Sequence, residues 1–372
     1  MKILHLITSI NTGGAEKFCI DLCNTQVQFK NIDVYLCVLD SFRKDNLLIN
    51  KLSDNVQLIS LNKSGGYSIG IIFKLYKLIK QVHPDIIHTN GRALIYASIP
   101  IIINKIPSVY TVHTLANKEY NNILKIYLKV IFNLYPTLFN PVGISKTVLK
   151  TIQNTYGKHY NDYIYNGSSR LERSPLFESV QMKVNKDKVN KNTMLFLYIG
   201  RIAPEKNVLL LIKTFTQLIK DDNNILLYII GYDSTSDKSY LPICKENNIF
   251  PERIKFLGEK INIYDYLYFT DALCMTSNYE GLGIVALEAF SLGKPVISTP
   301  SGGPNELIIN GINGYLSESI NVQSFMDAIN LFINTPISEK IKIKQIYEDK
   351  FTMKKCAVNY ISLYTRILQY KS

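Results

Sequence analysis

Short apolar runs alternate with amphipathic stretches along almost the whole chain. The runs have the length of buried parallel strands, and the longer stretches carry a helical period. Residues 3–9 read as a first strand, and Asn11-Thr12-Gly13-Gly14-Ala15-Glu16 as a glycine turn into a helix reaching about Phe29. Further strands are expected at Val34–Leu39, Val56–Leu61, Asp85–His88, Val109–His113 and Pro141–Ser145. Helices are expected over Ile69–Val82 and Lys118–Leu134. From Ser168 to Asn192 no apolar period stands out, and the end of the stretch is almost wholly charged or amide, so it reads as a connection. A second series begins at Met194–Gly200 and continues with strands at Leu226–Ile230, Ile254–Leu257, Ala272–Met275 and Pro295–Ser298. Met353–Tyr370 closes the chain as an amphipathic helix. This alternation predicts an α/β protein with two doubly wound parallel sheets. The domains would be 1–170 and 193–352, joined by a linker at 171–192, with helix 353–370 returning to the first.

Composition narrows the setting. A hydrophobic fraction of 47% over 372 residues is enough for two cores. The six cysteines (19, 23, 37, 244, 274 and 356) form no Cys-x-x-Cys pair and lie in apolar contexts. Buried free thiols and a reducing compartment follow. Cys19 and Cys23 share a helix face, but no paired ligand set accompanies them, no His/Cys cluster has ligand spacing, and no Asp-x-Asp occurs, so no metal is expected. The start Met1–Ser9 turns polar too soon for a signal peptide. No run of about 18 apolar residues exists to cross a membrane. The expected location is cytoplasmic.

Charge is unevenly placed. Residues 1–170 hold 19 Lys+Arg against 9 Asp+Glu, whereas residues 171–372 hold 23 against 21. Lys74, Lys77 and Lys80 lie on one helix of the first half, and Lys118, Lys125 and Lys129 on another. Such a field attracts anions. No nucleic-acid-binding motif is present, so nucleic acid is not an expected partner. An anionic membrane surface on the cytoplasmic side and a phosphorylated acceptor are.

The chemistry concentrates in Tyr279–Pro304. Glu280-Gly281-Leu282-Gly283 is a glycine turn, and a short helix follows, with Gly293 as its stop. Pro295–Thr299 is a buried strand, and Ser301-Gly302-Gly303-Pro304 opens another helix. Helix N-termini at the carboxyl ends of neighbouring strands favour anionic ligands, which points to the backbone of Leu282, Gly283, Ile284 and Val285. Glu280 and Glu288 bracket the helix, roughly 12 Å apart along its axis. That is too far for a close acid/base pair, and it suits two hydroxyl-bearing ends of one extended ligand. Arg201 and Lys206 follow the first strand of the second series, where both could meet a diphosphate. Gly13 and Gly14 allow close approach to backbone N–H groups, His113 ends a strand on the same side, and His88 is a weaker candidate of the same kind.

These features resemble the retaining glycosyltransferases of family 4. The resemblance rests on Glu280, seven residues, Glu288, then Gly293-Lys294-Pro295-Val296 and the Gly302-Gly303 turn. It is extended by Gly200-Arg201 with Lys206 and by Gly13-Gly14-Ala15-Glu16. It implies the GT-B fold, two Rossmann-like domains facing across a cleft. It implies metal-independent hexose transfer from a nucleoside diphosphate sugar, UDP ahead of GDP, to a glycan or lipid-diphosphate-linked acceptor, as in surface polysaccharide synthesis. No cofactor beyond that donor is implied. Glu288 would hold the ribose, Glu280 the transferred sugar, Arg201 and Lys206 the diphosphate, and His113 the sugar or acceptor. Gly13 and Gly14 would border the phosphate, and Tyr165-Asn166-Gly167 would be a structural turn. The leaving phosphate would accept the acceptor's proton in a front-face attack. Three alternatives remain open on the residues alone. Gly281-Leu282-Gly283-Ile284-Val285-Ala286 fits a dinucleotide fingerprint, so an NAD-dependent oxidoreductase is one. A sugar-nucleotide epimerase of the same fold and a binding protein with an inactive transferase fold are the others.

Overall fold

The computed structural model describes the chain except residues 11, 12, 43–45, 47, 65, 67, 222, 223 and 370–372. Asn11 and Thr12, expected in the first glycine turn, and Tyr370, expected at the end of the last helix, lie outside the described residues. The chain divides into two compact units, Met1–Ser169 with Phe351–Ser372 and Arg170–Lys350.

The first unit holds strands β1 (Lys2–Ile7), β2 (Asp33–Asp40), β3 (Gln57–Lys63), β4 (Ile86–Asn90), β5 (Ser108–Val112) and β6 (Phe139–Gly143). They form one parallel sheet in the order β3-β2-β1-β4-β5-β6. Its helices are α1 (Gly14–Gln26), α2 (Ile69–Val82), α3 (Ala93–Asn104), α4 (Ala116–Glu119), α5 (Asn122–Leu134) and α6 (Lys146–Thr155). Helix α3 carried no sequence signal, because it is apolar on nearly every side and contains Pro100, so no amphipathic stripe marks it. The single helix expected over Lys118–Leu134 is two, because Asn121 Oδ1 accepts from Leu124 N (3.0 Å) and starts α5 afresh. Strand β6 ends two residues before Ser145, whose Oγ accepts from Val148 N (3.1 Å) and caps α6.

The second unit holds, in chain order, α7 (Phe177–Asp187), β7 (Met194–Ile199), α8 (Val208–Asp221), β8 (Ile225–Ile230), α9 (Tyr240–Glu246) and β9 (Ile254–Gly258). There follow α10 (Ile263–Phe269), β10 (Ala272–Met275), α11 (Ile284–Ser291), β11 (Val296–Ser298), α12 (Gly303–Leu307), β12 (Gly314–Leu316), α13 (Val322–Asn334) and α14 (Lys340–Lys350). The sheet order is β12-β11-β10-β7-β8-β9, again all parallel. The last helix, α15 (Met353–Gln369), packs on α1 of the first unit.

The stretch expected as a linker is folded in its middle. Helix α7 buries Phe177, Val180 and Val184 at spacings of three and four, while its lysines and Gln181 leave the helix polar on average. Three apolar positions among charged neighbours make too faint a period to read. Phe177 packs on the Phe269 ring (4.8 Å between centroids) and lies under the Arg173 guanidinium (3.9 Å). At the helix end, the Asp187 carboxylate accepts from the Tyr228 hydroxyl (2.6 Å) and pairs with Lys255 (2.7 Å) and Lys183 (3.0 Å). Phe177→Ala should therefore cost the second unit about 3–5 kcal/mol of unfolding free energy by denaturant titration. A structureless connection would show no change.

Candidate active site

The second unit brings most of the sequence candidates together. Strands β10 and β11 are hydrogen-bonded neighbours, and the loops leaving their carboxyl ends lock to each other. Glu280 N donates to Ser301 O (2.7 Å) and Gly303 N to Glu280 O (2.9 Å). A Cβ on Gly303 would stand 2.3 Å from Leu282 Cα, so only glycine lets these backbones meet. Gly283, at φ +95°, caps α11, and a Cβ there would strike Met275 Cε at 2.7 Å. The sequence expected two comparable helix N-termini. Only α11 runs eight residues, whereas α12 is a five-residue turn whose Gly302 N is already met by Asn305 Oδ1 (3.0 Å).

The Glu280 side chain is held from two directions. Lys206 Nζ pairs with Oε2, and Ser277 Oγ donates to the same oxygen (3.2 Å). Lys206 stands on a short turn, Pro204–Lys206, after β7. That turn is fastened to the β10 loop by Asn278 N to Glu205 O (2.8 Å), Thr276 Oγ1 to Lys206 O (3.0 Å) and Asn278 Nδ2 to Pro204 O (3.0 Å). Because β7 and β10 are adjacent, residues over 70 positions apart share one cluster. Arg201 reaches Glu205 Oε1 (3.0 Å) and keeps about half of its side chain in solvent. Such a surface pair is worth at most about 1 kcal/mol and yields readily to a stronger anion. Buried Tyr198 donates to Arg201 O (2.8 Å), and burial, reinforced by the Glu280 charge, holds its phenol well above the ordinary range.

Glu288 lies inside α11, only 4% exposed, among buried Ala286, Leu287, Ala289 and Phe290. Ile284 and Val285 open the helix at half-buried positions. Leu282 is fully buried, so the whole residue belongs to the core.

In the first unit, Gly13 precedes α1, and a Cβ there would meet Glu16 Oε2 at 2.2 Å. Gly14 is the first residue of that helix. His113 Nε2 donates to Asn90 Oδ1 (2.9 Å), its ring stands edge-on to Phe18 (5.4 Å), and burial lowers its pKa to about 4. It is therefore neutral at pH 7. His88 is structural: it is wholly buried, Tyr364 Oη donates to its Nδ1 (2.5 Å), and its Nε2 donates to Thr111 Oγ1 (2.7 Å). The turn at Gly167 is tight for the same kind of reason, since a Cβ would stand 2.6 Å from Met353 Cα.

Two features escaped the sequence. Glu119 reads as one more charged residue of a lysine-rich helix, yet burial pushes its carboxyl up to about 7. The only signal was a lone acid flanked by Ala116 and Tyr120 in a basic half. The second is that His5, Cys19 and Cys23 converge, although no His/Cys cluster has ligand spacing along the chain. His5 is on β1 and the cysteines on α1, so the βα turn folds the helix face over the strand, which residue spacing does not reveal.

A carboxyl with a folded pKa raised above its unfolded value stabilises the fold below that unfolded value. The contribution is lost as pH rises through about 7. Glu119→Gln should thus gain stability relative to wild type at pH 8.5, with the gap closing toward pH 4.5. Denaturant midpoints across that range check it, and a constant gap would contradict it.

Comparison with known proteins places this geometry. A family model described as Glycosyl transferases group 1 matches residues 181–349, and one described as Glycosyltransferase Family 4 matches residues 12–168. The alpha-1,3/1,6-mannosyltransferase ALG2 of Dictyostelium discoideum is 24% identical, over 96% of each chain. The UDP-Gal:alpha-D-GlcNAc-diphosphoundecaprenol alpha-1,3-galactosyltransferase of Escherichia coli is also 24% identical, over 88% of this chain and 86% of its own. Among solved structures, HepE of Anabaena in complex with UDP and glucose superposes with a TM-score of 0.80 at 23% identity, covering 98% of this chain and 99% of its own. The dinucleotide fingerprint at Gly281–Ala286 follows β10, the fourth strand of its unit in chain order and not the first, and the comparisons do not favour an oxidoreductase.

Proposed function

The chain belongs to glycosyltransferase family 4 and has the GT-B fold, and from that premise we propose that it moves a hexose from a nucleoside diphosphate sugar, UDP before GDP, with retention of anomeric configuration. The acceptor is a glycan or lipid-diphosphate-linked sugar of a surface polysaccharide. The observation that carries the reading is the Lys206–Glu280 pair, held where the loops of β7, β10 and β11 meet. In this reading Glu280 accepts from hydroxyls of the transferred sugar and Glu288 from the ribose. The α11 N-terminus and Arg201 receive the diphosphate, with Arg201 leaving Glu205 for it. Lys206 stabilises the charge that grows on the leaving phosphate, the main demand of the step when no metal serves it. The bond from the anomeric carbon to phosphate oxygen breaks as the acceptor oxygen attacks from the same face, and the phosphate takes the acceptor's proton. Neutral His113 orients the sugar or the acceptor. The donor preference draws on the UDP bound to HepE and on the UDP-Gal named for the E. coli relative.

Incubation with a panel of UDP-, GDP- and ADP-sugars should release UDP fastest, in EDTA as well as without it, and NMR of the product should show the donor's anomeric configuration. Arg201→Ala and Lys206→Ala should each lower kcat far more than they lower the melting temperature, whereas Glu288→Ala should weaken UDP binding by about 1–3 kcal/mol in calorimetry. Full kcat in either cation variant would remove its role. An absolute Mn²⁺ requirement would contradict metal-free transfer. Stabilisation by NAD and not by UDP would restore the oxidoreductase.

The first unit also offers a face suited to an anionic bilayer. Helices α2, α3 and α5 are neighbours on one side of the sheet, linked by α2–α3 packing and by the Ser98–Tyr127 hydroxyl contact (2.7 Å). On α5, Ile123, Ile126, Val130 and Leu134 are 51–78% exposed, and Lys129 stands among them. Helix α2 adds exposed Ile69 and Phe73, with Lys77 and Lys80 further along. The sequence had indicated lysines alone. The apolar stripe adds shallow insertion to salt-sensitive attraction. Among the described residues no helix is long and apolar enough to cross a membrane. Sedimentation with phosphatidylglycerol vesicles should fall with salt and fall further in Ile126→Asp. Equal pelleting with neutral vesicles, or none with anionic ones at low salt, would refute this docking.

A further inference from the structure

We propose that His5, Cys19 and Cys23 form a buried site for one thiophilic d¹⁰ cation, Zn²⁺ or Cu⁺, which clamps helix α1 onto strand β1. The imidazole nitrogen and the two sulfurs all lie within 4.8 Å of one another, and the three residues are at most 1% exposed. Metal–sulfur bonds of about 2.3 Å and metal–nitrogen bonds of about 2.0 Å set such donor atoms roughly 3.5–4 Å apart. Rotation about the side-chain torsions covers the difference. Cysteines four apart on one helix face present their sulfurs to the same side, and the strand below supplies the nitrogen.

The histidine is set up as a ligand. Gln26 Nε2 donates to Tyr364 Oη (3.3 Å), so its Oε1 accepts from His5 Nε2–H (2.7 Å). That tautomer leaves the lone pair on Nδ1, and Nδ1 is buried with no hydrogen-bond partner. A metal-ligating imidazole usually has its second nitrogen anchored in this way. Asn90 Nδ2 points at Cys19 Sγ (3.6 Å), a donor that favours thiolate there. Binding Zn²⁺ displaces the remaining thiol protons to solvent, and two thiolates with one Zn²⁺ leave the cluster neutral. Asn90 also receives the His113 Nε2–H, so an occupied site fixes the support of that candidate residue. The site lies on residues outside the sugar-nucleotide reading, which can fail without affecting it.

The test uses the reduced, full-length protein after treatment with a chelator. Titration with Zn²⁺ against a chromophoric competitor, and separately with Cu⁺ against a Cu⁺ chelator, should give one equivalent for at least one metal, and the better-bound metal identifies the occupant. Co²⁺ should develop a thiolate charge-transfer band. Metal should raise the melting temperature. Cys19→Ala and Cys23→Ala should lose the band and the shift, while Cys37→Ala, at a buried cysteine on β2 outside the cluster, should keep both. No stoichiometric uptake of either metal by wild type, or uptake unchanged in Cys23→Ala, would overturn the site. The wild-type titrations decide the matter even if a variant fails to fold.

Discussion

The meeting of two backbones at Gly303 and Leu282 is the constraint on which the candidate site depends. Each of the two loops is pinned to the carboxyl end of its own parallel strand, and the strands are about 4.8 Å apart. Loops leaving such neighbours must diverge unless one of them gives up its side chain. Gly303 does so, and the vacated space lets Glu280 exchange two backbone hydrogen bonds with residues 301 and 303. The direction of the Glu280 carboxylate follows from this lock. A methyl group at residue 303 would displace it while leaving the charge intact.

Electrostatics then decides which groups remain available. Both cations of the site rest on carboxylates, Lys206 on Glu280 and Arg201 on Glu205. A partly buried lysine without a partner would be costly, so the resting pairs keep charge in place before a ligand arrives. The pairs differ in strength. Lys206 is mostly buried and shared with a loop glutamate that Ser277 also holds, while Arg201 is half in water. The arrangement is graded, with a lysine held between two loops and an arginine half in water.

In the first unit a run of side-chain hydrogen bonds connects β1, α1, β4, β5 and α15. It passes from His5 to Gln26, Tyr364, His88, Thr111 and Tyr360. Every member is buried, so each must be satisfied or the fold loses stability. Helix α15 contributes both tyrosines. Its return to the first unit is therefore a requirement of the polar core as well as of apolar packing. The opposite helical layer leaves isoleucines exposed on α2, α3 and α5.

Local pattern sufficed where a structure is dictated by short-range physics. Strands β1–β11, the striped helices α1, α2 and α15 and the glycine turns at Gly283 and Gly302 were legible, because period and left-handed backbone leave marks on neighbouring residues, whereas the three-residue β12 and helix α13 were not read. So was the family, because Glu280, Glu288, Arg201 and Lys206 sit at spacings that survive in the linear chain. Helices α3 and α7 were not legible. One is apolar all round and the other polar on average, so neither carries a stripe, and each is helical because of what covers it. Burial was equally hidden. His88 lies within β4 and His113 just past β5, yet the cover of α15 made the first structural, while the other stands half-buried at the strand end with Asn90 and Phe18 beside it. Glu119 gained its raised pKa from neighbours that fold over it. The pairing of Lys206 with Glu280 and the convergence of His5 on Cys19 and Cys23 were decided by strand adjacency and by the fold of a helix over its strand. These are relations of distance in space, and order along the chain does not encode them locally.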